Sequence, residues 1–85
     1  MKARFSPSFL KLYAKLHPAI RKKVDRHVSY LAHNILHPGL NARKMAGYPG
    51  IWEARIDEHY RITFQIEGDA ILMRKVGTHE IYRKP

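Results

Sequence analysis

Residues 51–66 read Ile51-Trp52-Glu53-Ala54-Arg55-Ile56-Asp57-Glu58-His59-Tyr60-Arg61-Ile62-Thr63-Phe64-Gln65-Ile66. Apolar and polar residues alternate on both sides of a short polar interruption, the period of two that belongs to strands. The stretch predicts one strand over Ile51 to Asp57, a tight turn, and an antiparallel neighbour over Tyr60 to Ile66. One parity, Trp52, Ala54, Ile56, Tyr60, Ile62, Phe64 and Ile66, is expected to face a core. The other sends Glu53, Arg55, Arg61, Thr63 and Gln65 outward, onto an open polar face.

On the C-terminal side, Glu67-Gly68-Asp69 reads as a hairpin turn and Ala70 to Val76 as a further strand. That strand is apolar at Ile71, Leu72, Met73 and Val76 and suits a central position, which leaves the facing of Arg74 and Lys75 open. On the N-terminal side, Arg43 to Ala46 reads as a strand and Tyr48-Pro49-Gly50 as a turn.

Before Ala42 the period is helical. Lys2 to Phe5 is short and strand-like; Ser6-Pro7 then opens a helix, with serine as cap and proline in the first turn. Phe9, Leu12, Tyr13 and Leu16 repeat along it. His17-Pro18 breaks this helix and starts another, whose stripe is Ile20, Val24, Val28, Leu31 and Ile35, and His37-Pro38-Gly39 is expected to stop it. The whole predicts an α+β fold, two N-terminal helices packed on a twisted, mainly antiparallel sheet, as a single domain over residues 1–85.

The chain has no cysteine, so neither a disulfide frame nor a thiolate zinc site is open to it, and a reducing cytoplasm is the expected address. No apolar run approaches the roughly 20 residues of a membrane span, and no membrane partner is expected. The histidines fall in no metal-ligand spacing and the acids do not cluster, so neither a metal nor a small-molecule cofactor is expected. A net charge of +9 favours a polyanionic partner, for which RNA, DNA or an acidic protein all qualify. Residues 1–42 hold eight of the 16 basic residues and a single acid, Asp25, whereas the strand-rich half sets eight basic residues against six acids. Both halves thus carry basic clusters, among which Arg43, Lys44, Arg74 and Lys75 are candidate RNA contacts.

Cutting RNA without a metal requires proton transfer at a 2′-hydroxyl and at a 5′-oxygen, with negative charge gathering on phosphorus between them. Arg55 and Arg61 are placed to hold that phosphate. His79 follows Gly77, which can bend the chain out of the last strand, and an imidazole can exchange a proton near neutral pH. Tyr82 offers a ring for stacking and a hydroxyl for the phosphate. Glu53 suits a base or an orienting partner for Arg55.

The helix, helix, strands order, together with Lys44-Met45-Ala46-Gly47, Ile51-Trp52-Glu53-Ala54, Tyr60-Arg61-Ile62-Thr63-Phe64 and Val76-Gly77-Thr78-His79, resembles the RelE/ParE toxin superfamily of bacterial type II toxin-antitoxin systems. The resemblance implies a small toxin neutralised by a cognate acidic antitoxin, acting on mRNA in the ribosome as an mRNA interferase. It also implies site positions at Glu53, Arg55, Arg61, His79 and Tyr82. Glu53 stands where some members have lysine, and Tyr82 follows His79 more closely than in several relatives. Two further outcomes belong to the same resemblance: a gyrase poison that cuts no RNA, and a noncatalytic RNA-binding or decayed toxin.

Overall fold

The computed structural model describes residues 1–85. A first strand, β1 (Lys2–Phe5), leads into helices α1 (Pro7–Ala14) and α2 (Pro18–His33). A 3-10 turn (Pro38–Leu40) and strands β2 (Arg43–Lys44), β3 (Trp52–Arg55), β4 (Arg61–Glu67) and β5 (Ala70–Gly77) follow, and a second 3-10 turn spans His79–Arg83. The strands form one sheet in the order β1-β5-β4-β3-β2. All pairs are antiparallel except β1 with β5, which run parallel; the two helices carry the chain from β1 at one edge of the sheet to β2 at the other. The expected α+β architecture is therefore present, and β5 takes the interior position its apolar run suggested.

Ser6 joins the two layers. Its side chain accepts from Phe9 N (3.0 Å) to cap α1 and donates to the Arg74 carbonyl (2.6 Å), while its own amide donates to Met73 O (3.0 Å). The carbonyl is free for this because Arg74 is an extra residue in β5: Thr63 pairs with Lys75 and Phe64 with Met73, a β-bulge. His17 caps α2 in the same manner, its Nδ1 accepting from Ala19 N. The second helix ends before the expected stop. Asn34 leaves the helical conformation and its Oδ1 accepts from Leu36 N, an Asx turn that competes with the next helical bond, so Ile35 lies beyond the helix and His37-Pro38 begins the 3-10 turn.

The core draws Phe9, Val24 and Leu31 from the helices, Leu40 from the 3-10 turn, and Ala54, Ile56, Ile62, Phe64, Ile71, Met73 and Val76 from the sheet strands and their ends. The inward parity thus holds for Ala54, Ile56, Ile62 and Phe64. It fails at Ile66, which is 40% exposed beside the hairpin turn. The strand expected over Arg43 to Ala46 pairs at Arg43 and Lys44 and adds one bond from Met45 N to Ile51 O (2.9 Å) before the chain turns away through Gly47 and Gly50, both at positive φ where a side chain would be strained.

The face expected to be open is partly covered. Thr63, read as outward and polar, is fully buried, its Oγ1 donating to Pro85 O (3.0 Å). The residues after β5 fold back over the sheet, burying Ile81 against it. No helix is long and apolar enough to cross a membrane.

Candidate functional site

Register fixes two rungs on this face. Arg43 pairs with Glu53, which pairs with Thr63; Arg55 pairs with Arg61, which pairs with Gly77. Between β2, β3 and β4 opens a cleft of about 450 Å³ lined by Asn41, Ala42, Arg43, Glu53, Arg55 and Arg61. Three guanidinium groups line it against one carboxylate, so the cleft attracts anions.

Each charged group has a defined anchor. Arg43 Nε donates to Glu53 Oε1 at 2.9 Å, an ion pair in which the glutamate side chain is only 12% exposed. The Asp57 carbonyl accepts from Arg55 Nε (3.3 Å) and also from the Arg61 guanidinium, which donates further to Tyr60 O. A single backbone oxygen therefore gathers two like-charged side chains. The turn that presents this oxygen is held by Asp57 itself, whose Oδ1 accepts from the amides of His59 and Tyr60 and whose Oδ2 meets Lys23 on α2 at 3.3 Å. Burial pushes the Asp57 carboxyl upward, but the two amides and Lys23 together outweigh it and hold the pKa below the usual value.

The C-terminal turn supplies the remaining groups. Gly77 is the β5 partner of Arg61, so the chain leaves the sheet beside that arginine, and His79 begins the 3-10 turn two residues later. The imidazole is exposed and meets the Tyr82 ring edge-on, with 5.3 Å between centroids. Tyr82 in turn reaches the charged rungs. Its phenol pKa is raised by burial first and by the Glu53 carboxylate next, against the lowering effect of Arg61 and Arg43. Tyr82 is thus the link between His79 and the cleft.

Of the residues singled out from the sequence, Glu53, Arg55, Arg61 and Arg43 share the cleft, Tyr82 lies beside it near Glu53 and Arg61, and His79 packs on Tyr82. Lys44 alternates to the other parity, its Nζ lying 5.7 Å from the Trp52 ring centre. Arg74 donates to Gln65 Oε1 and Pro85 O, and it and Lys75 lie outside the cleft. Sequence reasoning missed Asp57, although Asp at the head of a four-residue polar turn is the signal of a side chain that caps its own backbone. It also missed Tyr48, whose hydroxyl donates to Tyr82 O across 3.3 Å. No three of the histidine, aspartate and glutamate side chains form a group able to hold a metal ion.

No protein-family model and no curated protein sequence matches the chain. Solved structures do. A chain of the RelB–RelE antitoxin–toxin complex from Methanococcus jannaschii matches with 26% identity and a TM-score of 0.77, covering 96% of this chain and 99% of that one. The YoeB/ParE toxin from Agrobacterium tumefaciens superposes with a TM-score of 0.81 at 15% identity, over 93% and 99% of the two chains. A chain of the intact E. coli RelBE toxin–antitoxin complex gives 0.74 at 18% identity, over 91% and 94%. The expected resemblance is borne out along nearly the whole chain.

Proposed function

We propose that this chain, which has the fold of RelE-like toxins, is the toxin of a type II toxin–antitoxin pair and cuts mRNA in the ribosome without a metal ion. The observation that carries this reading is the Arg55–Arg61 rung at a cleft with one carboxylate, with Tyr82 near Arg61 and Glu53 and His79 edge-on to Tyr82. Two guanidinium groups fit the charge that builds on a scissile phosphate. Glu53, the one carboxylate lining the cleft, takes the 2′-hydroxyl proton as the 2′-oxygen attacks phosphorus. The bond from phosphorus to the 5′-oxygen breaks, and His79 gives that oxygen a proton, leaving a 2′,3′-cyclic phosphate and a 5′-hydroxyl. Tyr82 donates to the phosphate or stacks a base.

An acidic amphipathic antitoxin segment fits the helix side. A mainly apolar groove of about 330 Å³ runs there, lined by Phe5, Phe9, Leu10, Tyr13, Val24 and Val28 and by one acid, Asp25, whose Oδ1 accepts from the Tyr13 hydroxyl (2.6 Å); Phe5 is 42% and Leu10 53% exposed. Two of the three matched structures described above are complexes with antitoxins.

Induced expression should stop translation and yield new RNA ends within codons that carry 5′-hydroxyls. A His79→Ala/Arg61→Ala double variant that folds normally should be harmless. Undiminished toxicity of that variant, or DNA-damage signalling ahead of the fall in protein synthesis, would remove the mechanism.

A further inference from the structure

Across the C-terminal turn from the cleft lies a second groove of about 310 Å³, lined by Tyr48 and Ile51 and by the basic residues Arg74, Lys75, Arg83 and Lys84. The ion pairs of the molecule are Lys23–Asp57 and Arg43–Glu53, so none of these four is in one. Arg74 is tethered to Gln65 and Pro85, whereas Arg83 and Lys84 are exposed. Tyr48 is 39% exposed, with its hydroxyl pinned to the Tyr82 carbonyl, which fixes the ring at the groove. The phenol of the same Tyr82 faces Glu53 and Arg61. One residue therefore separates the two grooves.

We propose that this groove is a second binding site for single-stranded RNA, in which Tyr48 stacks a base and Lys75, Arg83 and Lys84 contact the phosphates of nucleotides adjoining those in the cleft. Unpaired cations beside a fixed, exposed aromatic ring are the combination that single strands use: the ring accepts any base face and the cations follow the backbone. The placement of those nucleotides rests on the RNA-cutting reading of the cleft, but binding in the groove can be measured without any cleavage.

The probe is a labelled RNA of about ten nucleotides, 2′-O-methylated throughout so that no 2′-oxygen can attack, titrated by fluorescence anisotropy at several salt concentrations. Removing three phosphate contacts in Lys75→Ala/Arg83→Ala/Lys84→Ala should flatten the slope of log affinity against log salt by about 2, at roughly 0.7 per single-strand phosphate. Tyr48→Leu should weaken binding about tenfold, while Tyr48→Phe, which keeps the stacking ring but loses the bond that holds it in place, should fall between Tyr48→Leu and the parent. An unchanged salt slope in the triple variant, or unchanged affinity in Tyr48→Leu, overturns the site. So does an oligoglutamate peptide that displaces the RNA at equal concentration, which would give the groove to a protein partner. Should the triple variant not fold, the Tyr48 pair alone decides. A protein that binds this probe as expected yet cuts no RNA would refute the nuclease reading and leave the groove standing.

Discussion

Arg55 lies directly across the β3–β4 ladder from Arg61, and both side chains donate to one acceptor, the carbonyl oxygen of Asp57. Like charges placed opposite each other on a sheet oppose folding, by about the 0.2 to 1 kcal/mol that a favourable cross-strand pair would contribute. The pair is therefore better suited to an anion than to the empty protein.

The consequence is a trade between stability and activity. Arg55→Thr should raise Tm by a few degrees at low salt, since about 1 kcal/mol corresponds to roughly 4 to 8 °C in a domain of this size. Added salt should shrink the gain, because screening weakens the repulsion it relieves. RNA cleavage should fall about 100-fold or more, as for loss of one preorganised donor to a transition-state oxyanion. Thermal melts at two ionic strengths and a cleavage assay give both numbers. A variant less stable than the parent would show that the two arginines do not repel.

Asp57 should make the fold acid-sensitive. Its carboxyl is held below the usual range in the folded chain, so folding favours the ionised form. The stabilisation is complete above the unfolded value near pH 4 and is lost as pH falls through the folded value. Asp57→Asn keeps an oxygen for the His59 and Tyr60 amides but loses the ion pair with Lys23. It should therefore flatten the decline of stability below about pH 4 while costing less than about 1 kcal/mol at neutral pH, the Lys23 side chain being 48% exposed. Asp57→Ala strands both amides and should cost about 1 to 3 kcal/mol. It should also slow cleavage, since the carbonyl that gathers the arginines sits on that turn. Urea titrations from pH 2.5 to pH 7 separate the two variants.

Much of this arrangement is legible in the chain because it rests on local rules. Alternation over Trp52–Ile56 and Ile62–Phe64 places Glu53, Arg55 and Arg61 on one side, and Ser6-Pro7 and His17-Pro18 mark the helix starts. What escaped reading depends on contacts remote in sequence. Thr63 looks solvent-facing until Pro85, 22 residues later, folds onto it. Nothing in Leu72-Met73-Arg74-Lys75 announces the bulge, whose freed Arg74 carbonyl finds its partner in Ser6, 68 residues away in sequence. Asn34 ends α2 through its own side chain, where the more conspicuous His37-Pro38-Gly39 drew attention. The site shows the same division: register supplies the arginine rung, while the approach of Tyr82 to it requires a C-terminal turn that periodicity does not describe.

Tyr82 should act as a neutral donor. Burial and the Glu53 carboxylate raise its pKa, so the phenol keeps its proton beyond the ordinary value near 10. Tyr82→Phe should lower the cleavage rate by about 10- to 100-fold, the range for losing one hydrogen bond to a charged group. Between pH 6 and about pH 9.5 its rate profile should run parallel to that of the parent, because Tyr82 does not titrate there. Divergence of the two profiles on the alkaline side would show that tyrosinate forms in the site.

Gly77 sets how closely the C-terminal turn lies on the sheet, and that spacing can be tested by a rescue. A Cβ at position 77 would come within 2.9 Å of Ile81 Cγ2, a contact too short to keep, and Ile81 is anchored in the buried underside of the turn that carries His79 and Tyr82. Gly77→Ala should therefore lift the turn. Overpacking of this kind costs about 1 to 3 kcal/mol, and cleavage should fall further than the stability loss explains, because His79 and Tyr82 move from Arg61. Leucine has the same volume as isoleucine but branches one carbon later, so Ile81→Leu removes the clashing methyl without opening a void. The double variant Gly77→Ala/Ile81→Leu should recover most of both losses, with a coupling energy of about 0.5 to 3 kcal/mol in a double-mutant cycle. Additive effects of the two substitutions would mean that Gly77 acts through backbone freedom rather than through the room it leaves for Ile81.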